Sequence, residues 1–403
     1  MKKPYIIKLL PLGALGVFSA CSDDAPMLNL GIDDSYYIYR MQKLPLTPAL
    51  TGASYRWSLA SGEVLSTERD YIFLAEKEGT YELVLDIVDE ETPYHFEFRV
   101  TVLHEEIDYS PYISKVYEYN PAPGQFINVM PQYEAGENYS DILKKVEESI
   151  SGTNDVMVSL GGFGGYVVFG FDHTVINTPG EMDFMIHGNS FYELTDNNRK
   201  GGSSEPGIVM VSYDRNCNGV PDDEWYELAG SEYHNPATLH GYSITYNRPD
   251  PDREIIMSGN LSDVNYIAWE DSEGVKGFMP KNSFHRQEYF PAWVDADQLT
   301  FSGSRLPANG VDASGTGAYY ILYCYDWGYA DNHPNEYADL NSFDISWAVD
   351  KDGMPIVLPG VDFVKVYTGV NQYCGWIGET STEICRAQDL HIISADQSIP
   401  DPL

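Results

Sequence analysis

One stretch of the sequence, residues 214–224, concentrates oxygen-bearing side chains at regular spacing. Asp, Asn and Asn occupy its first, third and fifth positions, Gly its sixth, and three acidic residues close it. Calcium binds about six to eight hard oxygen ligands in a flexible shell, which such a loop can wrap around one centre. The pattern therefore predicts a structural calcium site. The predicted metal ligands are Asp214, Asn216, Asn218, Asp222, Asp223 and Glu224.

The same loop departs from the EF-hand pattern in its second half. An EF-hand completes the calcium shell with a bidentate Glu at the twelfth position, and its loop lies between two helices. Here the twelfth position is Trp225, and the flanking residues have the pattern of strands. The three acidic residues must then complete the shell. The alternative is a metal-free hairpin closed by Asx turns.

A second stretch, residues 326–339, mixes aromatic rings with Asp, Asn and His side chains. Flat aromatic faces combined with hydrogen-bond donors and acceptors are typical of ligand recognition. With further residues at 225, 376 and 379, this stretch predicts a ligand site at one end of a β-sandwich. The alternative is a surface loop whose rings pack on the rim. The predicted ligand-binding residues are Trp225, Trp327, Tyr329, Asp331, Asn332, His333, Trp376 and Glu379.

The sequence does not contain the motifs of common enzyme classes. GxSxG, HExxH and P-loop patterns do not occur in it. Residues 161–165 include four glycines, but Val167 occupies the last position that a GxGxxG motif would need. We expect a tight bend between two buried strands there, with a ligand-cradling loop as the alternative. With 61 acidic residues, some carboxylates pair by chance. We therefore expect a protein that is not an enzyme and has no catalytic residues.

The composition favours an acidic, globular, all-β protein. The chain has 403 residues, with 24 Lys and Arg against 61 Asp and Glu, a net charge of −37. Such a charge argues against nucleic-acid binding, which needs clustered basic residues to neutralise phosphates. The 43% of hydrophobic residues is enough for a core, and 31 Tyr among 35 Gly and 24 Pro favour strands and turns over helices.

The N-terminus has the pattern of an export signal. Lys2, Lys3 and Lys8 lie around an apolar stretch at 6–15, which runs into the segment Phe18-Ser19-Ala20-Cys21. The apolar run is too short to cross a bilayer. The segment resembles a bacterial lipobox, which predicts a signal peptide at 1–20, lipidation of Cys21 and a lipidated linker at 21–26. Ordinary cleavage beside an incidental Cys is the alternative.

Beyond this signal, the pattern predicts two β domains. Residues 27–104 show period-two alternation between turn residues, which indicates antiparallel strands of a small sandwich. Residues 105–400 form the second domain, with one helix over Asp141–Ser151 and Ser140 as its N-cap. The pairing of Cys217, Cys324, Cys374 and Cys385 stays open. A Cys374–Cys385 bridge and buried free thiols are both compatible with the sequence.

These segments also resemble known families. The Trp strand, the Gly79-Thr80-Tyr81 entry and the closing strand of the first domain resemble the PKD (immunoglobulin-like) family, which implies a spacer. Stretches 161–191 and 204–232 are similar to jelly-roll, galactose-binding-like sandwiches. Through the stretches 110–126, 161–191, 204–232 and 343–390, residues 105–395 look like a family of Bacteroides cell-surface lipoproteins with a PKD-like first domain. In such lipoproteins, acidic residues after the lipidated Cys resemble a surface-export signal, so Ser22-Asp23-Asp24 implies the outer face of the outer membrane. A solvated linker is the alternative.

The resemblance also implies a function. Relatives of this family resemble accessory lipoproteins of corrinoid (vitamin B12) uptake, which implies a non-catalytic protein that binds a corrinoid and assists a TonB-dependent transporter. The first alternative is a glycan-binding or adhesive surface module stabilised by calcium. The second is a surface hydrolase.

Overall fold

The computed structural model describes residues 30–52, 54–75, 77–89, 92–104, 108–193 and 199–392. The described chain divides into two compact units between Asp108 and Tyr109. Strands dominate both units, and one α-helix occurs among the described residues. The predicted all-β fold class with one short helix is therefore confirmed. The signal peptide, Cys21 and the linker lie outside the described residues.

The first unit is built on a five-stranded sheet in the order β1-β7-β6-β3-β4, accompanied by the pair β2-β5. Its strands are β1 Ser35–Tyr39, β2 Leu44–Leu46, β3 Ser54–Leu59, β4 Val64–Ser66, β5 Tyr71–Phe73, β6 Gly79–Asp89 and β7 Thr92–Leu103. Alternation in β6 buries Leu83, Leu85 and Ile87 around Trp57. The Trp57 indole donates to the Glu68 carbonyl at 2.8 Å. The likeness to PKD domains stays a prediction.

The second unit contains the remaining strands and the helix. The first of them are β8 Lys115–Asn120, α1 Tyr139–Ile150, β9 Val158–Ser159, β10 Tyr166–Gly170, β11 Val175–Ile176, β12 Phe184–His187, β13 Phe191–Tyr192, β14 Gly201–Ser203, β15 Gly207–Ser212, β16 Trp225–Leu228 and β17 Leu239–Asn247. The others are β18 Leu261–Asp271, β19 Lys276–Asn282, β20 Gln298–Arg305, β21 Gly310–Asp312, β22 Tyr320–Tyr323, β23 Ser342–Phe343, β24 Ala348–Val349, β25 Gly360–Val361, β26 Phe363–Thr368, β27 Glu383–Ile384 and β28 Arg386–Asp389. Two 3₁₀ turns lie at Ala338–Leu340 and Ile345–Trp347.

Two of the sheets form the main core of this unit. A six-stranded sheet has the order β24-β16-β15-β26-β10-β8, and a four-stranded sheet has the order β19-β18-β17-β20. Large rings from both, including Tyr242, Tyr246 and Tyr367, pack in one buried cluster with Phe163. Smaller sheets, β13-β14-β22-β21 and β23-β12-β28, and the pairs β11-β25 and β9-β27 complete the unit. The jelly-roll likeness stays a prediction.

The helix begins earlier than the sequence analysis predicted. Its N-cap is Asn138, whose carboxamide oxygen accepts the Ser140 and Asp141 N–H groups, while the Asp141 carboxylate accepts the Asn138 N–H at 2.9 Å. The prediction of Ser140 as N-cap is wrong because this reciprocal capping box places it inside the first turn. Ile142 and Ile150 are buried, as the apolar stripe predicted.

The glycine-rich segment 161–165 joins β9 to β10 as a tight bend. Gly161 and Gly164 have φ of +73° and +83°, which side chains rarely adopt. A Cβ on Gly165 would collide with the Leu160 carbonyl. Gly162 also lines a cavity, described below, so the bend and the cavity wall share this segment.

No helix in the described part of the chain is long and apolar enough to cross a membrane.

Candidate ligand-binding site

The predicted calcium loop is closed by its own hydrogen bonds. The buried Asp214 carboxylate accepts the Asn218 N–H at 3.1 Å and the Gly219 N–H at 2.8 Å. The Asn218 carboxamide oxygen accepts the Val220 N–H, and its NH₂ group donates to Asp222. These are the Asx turns of the metal-free alternative. Asn216 takes part in the same turns, as its carboxamide oxygen accepts the Asn218 N–H.

The last two predicted ligands point their oxygens to partners within the same hairpin. Asp223 accepts the Arg215 N–H at 3.2 Å, and Glu224 accepts the Tyr226 hydroxyl at 2.9 Å. The six residues therefore lie in one loop, but each oxygen-bearing side chain has a protein partner. Calcium binding by this loop stays a prediction.

A different acidic group meets the distance requirement for a shared cation. Carboxylate oxygens of Glu205, Asp331 and Glu383 all lie within 4.8 Å of one another and are buried. Burial and mutual repulsion raise the pKa of Glu205 and Asp331 well above the ordinary value. The three carboxyls can thus hold a hard cation or share protons. Sequence analysis predicted Asp331 but missed its two partners, which lie more than fifty residues away.

Asp331 has a structural task in this buried group. Its carboxylate accepts the N–H groups of Asn189 at 2.7 Å, Ser190 at 2.9 Å and Glu383 at 2.9 Å. These hydrogen bonds join three segments of the fold. The backbone of Asp331 has a positive φ of +53°.

The eight predicted ligand-binding residues do not line one cavity. Tyr329 is buried, and its hydroxyl accepts the Glu232 N–H at 2.9 Å. Asn332 is buried, with its carboxamide bonded to Tyr325 and Ser204. Their positions show a role in joining loops.

The other predicted residues lie in separate places. Trp225 lies in β16 and is half-buried. Trp327 is 40% exposed, and its ring centroid lies 4.7 Å from that of Trp347. His333 borders a cavity of about 570 Å³ together with Arg199 and Lys200. Trp376 and Glu379 lie in the walls of two further cavities.

These two cavities share Tyr373 in their walls. We name them the Glu379 cavity, of about 260 Å³, and the Trp376 cavity, of about 610 Å³. The Glu379 cavity is bordered by Trp269, Phe278, Arg305, Asn371, Gln372, Tyr373, Glu379 and Thr380, among others. The Trp376 cavity is bordered by Asn260, Leu261, Asn282, Phe284, His285, Tyr373 and Trp376, among others.

A hairpin positions the aromatic wall of the Glu379 cavity. Asp271 closes the β18–β19 turn by accepting the Glu273 and Val275 N–H groups. This register places Trp269 opposite Gly277. A Cβ on Gly277 would collide with the indole, so the glycine lets the ring lie against the strand. Phe278, the next residue, is 48% exposed.

A tight turn presents the ring of Trp376. The Cys374 N–H donates to the Gly378 carbonyl at 2.8 Å, and Gly375 and Gly378 have φ of +60° and +95°. Trp376 is 53% exposed and Phe284, across the cavity, 63%.

Cys374 and Cys385 are buried free thiols, so the alternative of a bridge between them is wrong.

Glu379 is held from one side only. Its Oε1 accepts the Gln125 N–H at 2.6 Å, whereas its buried Oε2 has no partner within the described structure. Burial raises the pKa of Glu379 to about 8, so it is mostly protonated at pH 7. Gln125 also accepts from Asn282 at 2.8 Å, which connects the two cavities.

Sequence analysis missed Trp269, Phe278, Phe284 and Tyr373 as site residues. A signal for the first existed, because the Asp-Ser-Glu-Gly turn at 271–274 fixes a hairpin register that pairs Trp269 with Gly277. The convergence of this hairpin with the segment 371–380 has no local signal.

Comparison with known proteins adds distant likenesses only. No family model and no curated protein matches the chain. Among solved structures, a quinonprotein alcohol dehydrogenase-like protein from Bacteroides thetaiotaomicron is 12% identical over 62% of this chain, with a TM-score of 0.17. This chain spans 47% of that protein, about half its length.

Two other solved structures align with this chain over most of both lengths. One concerns carbohydrate-binding modules of the β-sandwich superfamily, with 10% identity, coverage of 87% and 93% of the two chains and a TM-score of 0.15. The other is a SusE-like protein, with 8% identity, coverage of 86% and 92% and a TM-score of 0.24. At such values the function has to be argued from the site itself. The fold is that of an all-β protein, and its second unit has two cavities with aromatic rings in their walls.

Proposed function

We propose that this protein is a non-catalytic glycan-binding module whose site is the Glu379 cavity together with the Trp376 cavity. The observation that carries the proposal is the composition of their walls. Exposed or half-buried rings of Trp269, Phe278, Phe284 and Trp376 lie beside polar side chains. Sugars present apolar C–H faces and many hydroxyls, so they bind where aromatic faces adjoin hydrogen-bonding groups.

Exposure of these rings supports the same proposal. Phe278, Phe284 and Trp376 are each close to half exposed or more, although burying such rings would stabilise the fold. Exposed aromatic clusters bordered by polar residues are typical of binding sites. The carboxamide of the neighbouring Asn371 donates to the Tyr242 hydroxyl, and its oxygen can accept a hydrogen bond from a sugar hydroxyl.

The corrinoid ligand and its TonB-dependent transporter rest on the sequence resemblance alone, and the cavity walls favour the glycan alternative over them. We propose a cell-surface location, with lipidated Cys21 as anchor in the outer membrane and the first unit as spacer. Serine in place of Cys21 should release the protein from the membrane fraction; retention there would contradict the lipid anchor.

A glycan array followed by calorimetry tests the proposed function. We expect Trp269→Ala to weaken binding of the selected glycan by about tenfold to a hundredfold, because a lost aromatic stack costs about 1–3 kcal/mol. Trp376→Ala should weaken longer oligosaccharides more than short ones. Trp327→Ala is the matched control, since this exposed Trp lies outside both cavities.

Three outcomes would overturn the proposal. They are the absence of binding to any glycan, equal affinities of wild type and both cavity variants, and tight binding of cyanocobalamin in place of glycans. Product analysis after long incubation should show the glycan unchanged, and turnover would favour the hydrolase alternative.

A further inference from the structure

We propose that the Glu379 cavity takes a sugar that carries a carboxylate, of the uronic acid class, and that Arg305 recognises this carboxylate. The inference rests on the proposed function in one respect, that the ligand is a glycan. It goes beyond that function by naming the charged group of the ligand and the residue that reads it.

Arg305 is an arginine for which the described residues of this acidic protein supply no acidic partner. It ends β20, is half-buried and lies with its guanidinium 4.6 Å from the centroid of the Tyr242 ring. Within the described residues no carboxylate forms an ion pair with it, and its buried Nε has no hydrogen-bond partner. The chain has 61 acidic residues against 24 basic ones, so potential carboxylate partners for an arginine are abundant.

A second arginine, in the loop between β17 and β18, shows which partner Arg305 lacks. Arg253 lies over the Tyr266 ring at 4.9 Å, and its Nε donates to the Asp263 carboxylate at 2.8 Å. Arg305 repeats the stacking on a tyrosine but lacks the carboxylate. A planar guanidinium forms paired hydrogen bonds with a carboxylate, which a ligand can supply.

Two further groups of the wall can donate to the same ligand. The Tyr373 hydroxyl and the Glu379 Oε2 are buried and have no partner in the described structure. Because Glu379 Oε1 accepts the Gln125 N–H, the proton of the neutral acid belongs on Oε2, which then donates. The remaining acid of the wall, Asp271, already accepts the Tyr242 hydroxyl at 2.8 Å and two N–H groups.

The wall thus offers donors in excess of acceptors. Arg305 can only donate, and a carboxylate can only accept. Buried donors without an acceptor are costly, so a ligand rich in acceptors gains more here than a neutral sugar does. These three polar atoms are buried in the structure, so the proposal requires their side chains to rotate toward the cavity when the ligand binds.

The test is calorimetry with matched sugar pairs. The probes are trisaccharides of galacturonic, glucuronic and mannuronic acid, each beside its carboxyl-reduced neutral counterpart. We expect at least one acid to bind about tenfold or more tighter than its counterpart, the size of a charge-assisted hydrogen bond. Arg305→Gln should remove this preference, so that the acid and its neutral counterpart bind with about equal affinity. Arg305→Lys should restore part of it, and thermal melting verifies folding.

The failures of the two proposals are distinguishable. Equal affinities for an acid and its counterpart, both lost in Trp269→Ala, would overturn the role of the carboxylate and leave glycan binding standing. A preference that survives Arg305→Gln would overturn the assignment of Arg305. Absence of binding to all six sugars would overturn the uronic acid inference, and the glycan array then decides the proposed function separately.

Discussion

The loop 214–224 and the Glu379 cavity are both built from polar side chains, yet they differ in how those side chains are satisfied. In the loop, Asp214 and Asn218 bond to N–H groups a few residues away. In the cavity, Arg305 comes from β20, whereas Tyr373 and Glu379 come from the distant segment 371–380. All three keep buried polar atoms without partners in the described structure. The difference teaches that a conspicuous local motif can complete itself, whereas a site for a ligand leaves groups for the ligand to complete.

The largest expected effect concerns the pH dependence of stability. Burial raises the pKa of Glu379 from 4.5 to about 8, so the folded protein keeps a proton that the unfolded chain releases. The stabilisation that this proton contributes is full below about pH 4.5 and is lost as the pH rises through about 8. We expect the free energy of unfolding to fall by about 2–5 kcal/mol between pH 5 and pH 9 from this group.

Urea unfolding at pH 5, 7 and 9 measures this loss. Glu379→Gln should remove a large part of it, because the amide stays neutral. Glu273→Gln, at an exposed acid, is the charge-matched control and should keep the wild-type slope. Identical slopes for wild type and Glu379→Gln would contradict a neutral Glu379 in the folded state.

The next effect tests the loop as a self-completed structure. Asp214→Ala leaves the Gly219 N–H without its acceptor and removes one of the two acceptors of the Asn218 N–H. We expect a loss of about 1–3 kcal/mol in the free energy of unfolding. Asp222→Ala, at an exposed position of the same loop, should cost less than about 1 kcal/mol. Equal losses in the two variants would contradict the central position of Asp214.

Calcium addition tests whether the loop 214–224 also binds a metal ion. If the loop binds calcium, millimolar calcium raises the melting temperature by about 2–4 °C relative to EDTA, by mass action. Asp222→Ala should abolish this shift, and Glu383→Gln, in the buried acidic triad, should keep it. An unchanged melting temperature in wild type would favour the metal-free hairpin. A shift lost only in Glu383→Gln would move the cation to the triad.

The smallest effect concerns the helix cap. Asn138→Ala should destabilise the second unit by about 1 kcal/mol, since it removes the acceptor for the first-turn N–H groups. Ser140→Ala should change the free energy of unfolding by less than about 0.5 kcal/mol. The reverse order in urea unfolding would restore Ser140 as the cap.

Local patterns explain what the sequence made predictable. Alternation located the strands around Trp57, an apolar stripe located the helix, and Asx chemistry anticipated the closed loop at 214–224. The buried apolar stripe did not depend on the cap, so an error of two residues at Asn138 left the helix itself correctly placed.

Tertiary convergence explains what was not predictable. Residues 326–339 have the composition of a ligand loop, but Asp331 accepts the Asn189 N–H and Asn332 accepts the Ser204 hydroxyl. A local pattern cannot reveal partners so far away in the sequence. Glu379 was predicted as a ligand-binding residue, whereas Arg305 and Trp269 were missed. They lie near Glu379 only because the sheet β19-β18-β17-β20 folds against the segment 371–380, and this contact has no local signal in the sequence. An arginine can be recognised as a candidate binding residue only when the structure shows that no carboxylate in the described residues pairs with it.

The most direct test of the central claim is a crystal structure of the protein with the tightest-binding oligosaccharide from the array. We predict a sugar ring against Trp269 in the Glu379 cavity, with hydrogen bonds to Glu379 and further rings of the ligand along Trp376. A ligand bound at the cavity beside His333, or on the first unit, with the Glu379 cavity left empty, would contradict the account.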